Sequence, residues 1–340
     1  MDDLVTELAR ARRAWVSPRL QEWYDDERLV RQLASGLADE AGRVGDVVFG
    51  AEFRDGVMSG AGIAASTDPL DWANRRIDLP TGGWAVAGIR FRGLDVTRPF
   101  VDVVATTEPP TPDGLATVAE SVAPAYAPFG PLCLRFELPE PAPLLERLGA
   151  DERFGEGCAV DQYVVAGTVE ALRTWPRAAS YDDISLRRGG AEQLAQRAAA
   201  IYDELGRRNP DLRMWACPED AASLGACAED GLLFEVVLTG EAVGVVAAVR
   251  GDAHGLSGFS VEELCLAAGS RGRGLAAGVL QRLADELPAE DGDVLWGTIH
   301  PDNAPSLRNS VSVGREVVGG YTWVTPAGLP GMPSEVGPRS

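Results

Sequence analysis

The chain has 340 residues, 45% hydrophobic and 24% charged, which fits about two globular domains and excludes a chain dominated by disorder. Its 51 acidic residues outnumber 31 basic ones, for a formal net charge of −20. Beyond serving solubility, such a surface repels phosphate backbones, which excludes nucleic acid as a general partner, and it attracts a cationic small molecule such as an amine.

In chain order, the first clear pattern is Val101-Asp-Val-Val-Ala105, a strand that leads through Thr111-Pro-Asp-Gly114 into a helix opening at Leu115-Ala116. Asp161-Gln-Tyr-Val-Val165 is a further strand, and a boundary falls near Thr168 to Ser180. Ile184 to Arg188 reads as a strand, and Ala191 to Leu205 carries helical spacing that ends near Gly206. A second helix starts near Pro218 and ends before Gly231. Leu232 to Leu238 and Ala242 to Val249 flank Thr239-Gly240-Glu241 as a hairpin. Val261 to Leu266 is a strand, Leu275 to Leu287 a helix and Asp293 to Ile299 a strand. A short helix follows Asn303, and Val317 to Val324 is the last strand.

The two halves echo each other. Val101 to Ala116 aligns without gaps on Val261 to Ala276, both ending in Gly-Leu-Ala before a helix, and Leu138 to Pro143 lies opposite His300 to Pro305 at nearly the same offset. Agreement in order and spacing predicts a duplicated fold. The expected division is 1–175, 176–326 and a flexible Pro- and Gly-rich tail, 327–340.

The loop Arg271-Gly272-Arg273-Gly274-Leu275-Ala276 joins a strand to a helix. Backbone N–H groups at a helix start are unpaired and lie at the positive end of its dipole. Gly272 and Gly274 remove the β-carbons that would block a pyrophosphate, and two arginines add positive charge. A P-loop needs lysine, and none occurs in the chain. The dinucleotide fingerprint fits only approximately, because Ala277 replaces its third glycine.

These residues resemble the GNAT superfamily of N-acetyltransferases. The family's Gln/Arg-x-x-Gly-x-Gly/Ala loop is matched by Arg271, Gly274 and Ala276, and its strand–Asn–helix step by Asn303, with Gly314-Arg315 where Gly-Phe is frequent. The resemblance covers about Ile184 to Thr325. It implies an α+β class of two tandem folds, each a mostly antiparallel mixed sheet flanked by helices. It also implies acetyl-CoA as cosubstrate, held by Leu264, Cys265 and Leu266 on the strand, by Arg271 to Ala276 including Gly272, Arg273, Gly274 and Leu275, and by Asn303 and Ser306. The first half resembles a degenerate copy, with Asp113 where phosphate would sit and Pro141 in place of Asn, and is expected to bind no CoA.

Transfer to an amine needs a base. Glu262 and Glu263 lie on the strand before the loop, and alternation points them to opposite faces. Relatives carry a tyrosine as acid in the helix after the Asn. Ser310 occupies that place here, with a water or Tyr321 as substitutes and His300 as a possible relay, although a histidine before Pro-Asp also reads as a turn residue. His254 reads as a loop residue. Five scattered cysteines (Cys133, Cys158, Cys217, Cys227, Cys265) without a Cys-x-x-Cys pair argue against disulfides or zinc and for a reducing compartment. No apolar run reaches the roughly 18 residues that span a membrane, and the N-terminus lacks a secretory pattern. The expectation is a cytoplasmic acyltransferase for a small amine, without metal, membrane or nucleic acid. A non-catalytic acetyl-CoA sensor and a user of another acyl-CoA are the alternatives, and the oligomeric state is not legible.

Overall fold

The structure, a computed structural model, describes residues 2–58, 68–210, 212 and 216–333. Backbone contacts divide the chain into two compact units. The first comprises Met1–Tyr163, Ala253–Gly255 and Val318–Pro333, and the second Val164–Asp252 and Leu256–Val317.

The first unit begins with four helices, α1 (Asp2–Arg12), α2 (Pro18–Trp23), α3 (Asp26–Gly42) and α4 (Val47–Met58). Local chemistry sets their starts. Ser17 caps α2 with Pro18 at its first position, and Asp25 caps α3 by accepting the Arg28 N–H. Strands β1 (Arg75–Asp78), β2 (Trp84–Phe91) and β3 (Pro99–Thr106), helix α5 (Pro112–Ala125), strand β4 (Leu134–Leu138) and helix α6 (Pro141–Gly149) follow, and β5 (Ala159–Thr168) crosses into the second unit. β1–β2 and β2–β3 are antiparallel and β3–β4 parallel. The core packs Leu115, Val118 and Val122 of α5 against Ile89, Val101 and Phe136.

The second unit holds α7 (Val169–Thr174), β6 (Ile184–Arg188), α8 (Ala191–Arg208), α9 (Ala221–Glu229), β7 (Leu233–Leu238), β8 (Glu241–Ala253), β9 (Leu256–Leu266), α10 (Leu275–Glu286), β10 (Val294–Ile299), α11 (Ala304–Ser312) and the first residues of β11 (Glu316–Val324). β6–β7 and β7–β8 are antiparallel, and β9–β10 is parallel. Both sheet faces are covered, which explains the unbroken apolar run of β7. Leu233, Val245 and Ala247 face Leu194 of α8 and Leu224 of α9, whereas Phe234, Val246 and Ala248 face Val279 and Leu283 of α10.

Every element expected between Ile184 and Val324 is present, in an α+β mixed-sheet arrangement. The order β3-α5-β4-α6 of the first unit recurs as β9-α10-β10-α11 in the second.

The division differs from a cut near residue 175: the second unit already begins at Val164, Ala253–Gly255 belong to the first, and so does the end of the last strand. From Val318 onward β11 belongs to the first unit, where Gly320 to Val324 pair antiparallel with Leu138 to Leu134 of β4. The described part of the expected tail is packed: Leu329 and Met332 lie against first-unit cores, and Gly331 donates to the Leu132 carbonyl. Residues 334–340 lie outside the described residues. Among the described residues no helix is long and apolar enough to cross a membrane, and no cluster of His, Cys, Asp and Glu could hold a metal ion.

Candidate functional site

In the second unit β9 runs through a short turn into the loop before α10. Gly272 and Gly274 have φ of +71° and +72°, the left-handed region that side chains other than glycine's enter at a cost. Gly274 is the N-cap of α10 and, having no side chain, caps nothing; the first turn also carries no acidic residue. The first N–H groups of α10 therefore face outward as donors at the positive end of the helix.

The two arginines divide the work. Arg273 is exposed and has no ion pair among the described residues. Arg271 instead turns inward, its Nε donating to the Leu266 carbonyl at 2.7 Å while Nη2 is buried without a partner. Burial lowers its pKa. Arg271 thus clips the loop to the end of β9, and the exposed charge comes from Arg273.

The corresponding start in the first unit is closed. Thr111 caps α5, its hydroxyl accepting the Gly114 N–H at 3.2 Å, and Pro112 at the first position has no N–H to offer. Asp113 adds a carboxylate that pairs with Arg153 at 2.7 Å. A β-carbon on Gly114 would stand 2.1 Å from the Pro109 carbonyl oxygen. Two equivalent turns thus differ in whether their amides are available.

Next to the open loop, parallel strands separate. The β9–β10 register covers Gly258 to Ser260 against Val294 to Trp296, and Val261 to Leu266 extends beyond it. Along this stretch the alternation of faces slips. Phe259 and Val261 pack into one core, and so do Leu264 and Leu266 on the same side, an odd interval away. Strict alternation does not hold across Glu262-Glu263.

Glu263 is the buried one, 3% exposed. Tyr202 of α8 donates its hydroxyl to Oε1 at 3.1 Å and the Glu219 N–H donates to Oε2 at 3.2 Å. Burial raises its pKa to about 7, against the opposing pull of these two bonds. Glu262 is half-buried, and its charge acts on the Cys227 thiol of α9. Burial also raises the pKa of Cys265, which keeps it a thiol. Leu264 lies partly buried against the α10 side.

At the start of α11, Asn303 is the N-cap, its Oδ1 accepting the Ser306 N–H at 3.3 Å. Ser310 is buried at 2% exposure, and its hydroxyl accepts from Arg315 Nη1 at 3.4 Å. Arg315 also donates to the Val165 carbonyl at 3.0 Å, and burial lowers its pKa to about 9. Ser310 therefore faces a buried cation. His300 Nδ1 accepts the Asp302 N–H at 3.2 Å, as a turn residue does.

One expectation changes. Tyr321 pairs with Glu137 on β4 and is a residue of the first unit. His254 lies in the turn between β8 and β9, as a loop residue does, and within the first unit its Nδ1 lies 3.0 Å from Glu137 Oε1. Sequence reasoning missed Tyr202 and Glu219. Tyr202 follows Leu194, Ala198 and Ile201 at helical spacing, which reads as core, and its phenol gives no local signal.

No protein-family model and no curated protein matches the chain. Among solved structures, a GCN5-related N-acetyltransferase from Sphaerobacter thermophilus is similar at 16% identity, covering 76% of this chain and 81% of that one with a TM-score of 0.46. A GNAT-family acetyltransferase from Colwellia psychrerythraea gives 13% identity, 72% and 85% coverage and a TM-score of 0.45. A GCN5-related N-acetyltransferase from Kribbella flavida gives 17%, 75% and 90%, and 0.42. At such identities the likeness concerns fold alone.

Proposed function

We propose that the second unit is an acyl-CoA-dependent N-acyltransferase, with acetyl-CoA as donor and a small amine as acceptor. The observation that carries this reading is the uncapped start of α10 beside an unpaired Arg273, set against the capped start of α5. Anion binding needs free amides and positive charge, and the two turns differ in both. Asn303 and Ser306 at the start of α11 and the strand residues Leu264 to Leu266 would line the rest of the donor site.

When bound, CoA supplies an acyl thioester as electrophile. The side chains around it supply proton handling. Glu263, with a pKa of about 7, is ionised above neutral pH and serves as the general base for the amine, directly or through a water. Tyr202 and the Glu219 N–H hold its carboxylate in place. Cys265, held as a thiol, favours direct attack over an acyl-cysteine intermediate. Ser310 is assigned no proton transfer here, because its hydroxyl is turned to Arg315. The chain's negative charge favours a cationic acceptor. The first unit is read as a copy that binds no CoA.

Calorimetric titration with acetyl-CoA, on the wild type and on Gly274→Glu, tests the donor site. Binding by the wild type that is lost in the variant is expected, and no wild-type binding sinks the reading. The burial of Ser310 favours one rival, a CoA-binding protein without turnover. Release of CoA thiol with a panel of primary amines separates the two.

A further inference from the structure

The first unit contains a cavity of about 260 Å³ whose lining residues all belong to that unit. Seven polar side chains converge on it from two helices, three strands and one turn: Arg12, Glu40, Asp102, Arg135, Glu137, His254 and Tyr321. Their arrangement is specific. Arg12, 5% exposed, pairs with Glu137 Oε2 at 2.6 Å, and His254 Nδ1 meets the other oxygen at 3.0 Å. Arg135 forks both oxygens of Asp102 at 2.8 and 2.9 Å and lies over the Tyr321 ring at 4.4 Å. Burial pushes the Glu137 carboxyl up, but Arg12, His254 and Arg135 together outweigh it and hold its pKa at about 2, so it stays a carboxylate.

Such a cluster is an expensive way to fill a core. Buried ion pairs return little more than their desolvation cost, and apolar side chains of the same volume are as stabilising or more so. His254 reaches the cluster with φ of +58°, a conformation that costs a residue with a β-carbon stability. Two features point to a ligand instead. The walls leave space, equivalent to roughly nine waters at about 30 Å³ each. The Tyr321 hydroxyl lines that space with no hydrogen-bond partner among the described residues.

We propose that this cavity binds a small zwitterion, a free α-amino acid of about ten non-hydrogen atoms. Of the three carboxylates on the lining, Glu40 is already paired with Arg43 and Arg90. The two guanidinium groups of Arg12 and Arg135 and the carboxylates of Asp102 and Glu137 then balance, so a ligand bearing one sign alone would meet as much repulsion as attraction. A molecule with both signs finds a partner for each: its carboxylate takes the remaining arginine N–H groups and the Tyr321 O–H, and its ammonium takes the second lone pairs of Glu137 and Asp102. Leu33, Leu37, Val103 and Val104 complete the wall and fit a short aliphatic side chain. Binding here does not depend on the second unit.

The test is calorimetry on the full chain with each of the twenty free amino acids, with propylamine and propionate as singly charged controls. At least one amino acid is expected to bind at least tenfold more tightly than either control. Tyr321→Phe, which removes one oxygen from a packed ring, is expected to weaken that binding about tenfold or more with an unchanged melting temperature. Gly274→Glu, in the other unit, is expected to leave it intact. No binding by any amino acid, equal binding by a control, or full binding by a folded Tyr321→Phe overturns the proposal. Loss in Gly274→Glu assigns the binding to the second unit and overturns it as well.

Discussion

The buried Glu263 and the half-buried Glu137 define the residue scale, and their pKa values move in opposite directions for stated reasons. Glu263 has two neutral donors and no cation in contact, so burial wins and raises it to about 7. Its folded pKa exceeds its unfolded one, so the stability it adds is fully present below about pH 4.5 and is lost as pH rises through 7. That loss amounts to roughly 3 kcal/mol. Glu263→Gln should flatten this dependence in urea unfolding measured from pH 5 to 8. In the acyl-transfer assay the wild-type rate should rise with pH through an inflection near 7, and the variant should lose that inflection together with about 100-fold in rate. Tyr202→Phe removes a bond that favours the ionised carboxyl, so the same inflection should shift upward; an unmoved profile would separate Tyr202 from the titrating group. Glu137 shows the reverse sign. Its depressed pKa adds stability above its unfolded value that is lost as pH falls toward 2. None of this was legible in the chain. Two adjacent glutamates on a strand announce a choice of faces, and the choice is made by a slip in alternation and by Tyr202, 61 residues away.

At the scale of the element, legibility was high where punctuation is local. The helix of Leu275 begins after Gly274, the hairpin turns at Thr239-Gly240, and α9 starts behind its Asp220 cap, each from residues with a direct backbone effect. The contrast between Thr111 and Gly274 was half legible, since Asp113 at the place of the phosphate stood out and the cap did not. Thr111→Ala should cost about 1 kcal/mol in thermal unfolding without giving the first unit CoA affinity, because Pro112 and Asp113 remain. Gly258 tests the parallel pairing that positions the split strands. Its φ is +147° and a β-carbon would meet the Val294 carbonyl oxygen at 2.3 Å. Gly258→Ala should therefore destabilise by about 3 kcal/mol or more, read by denaturant unfolding.

For the whole molecule, the sequence showed two similar halves and concealed where the last strand goes. Pairing of Val318 to Val324 with β4 is a long-range choice, and a strand with apolar residues on both faces carries no local signal of its partner. A chain truncated after Val317 should lose protection of β4 amides in hydrogen exchange, since Tyr321 and its neighbours supply their partners. A cut near residue 175 should likewise leave the first unit incomplete. The net charge of −20 acts at this scale too. The KM for a cationic acceptor should rise with ionic strength as the field is screened, and an unchanged KM would confine recognition to short-range contacts.

The central claim is that the open start of α10 holds the donor's phosphates. Calorimetric titration of the intact chain with acetyl-CoA tests it most directly, alongside Gly274→Glu and Arg273→Ala. The wild type is expected to bind one equivalent, Arg273→Ala more weakly and Gly274→Glu undetectably. One equivalent bound with unchanged affinity by a folded Gly274→Glu, or none bound by the wild type, would contradict it.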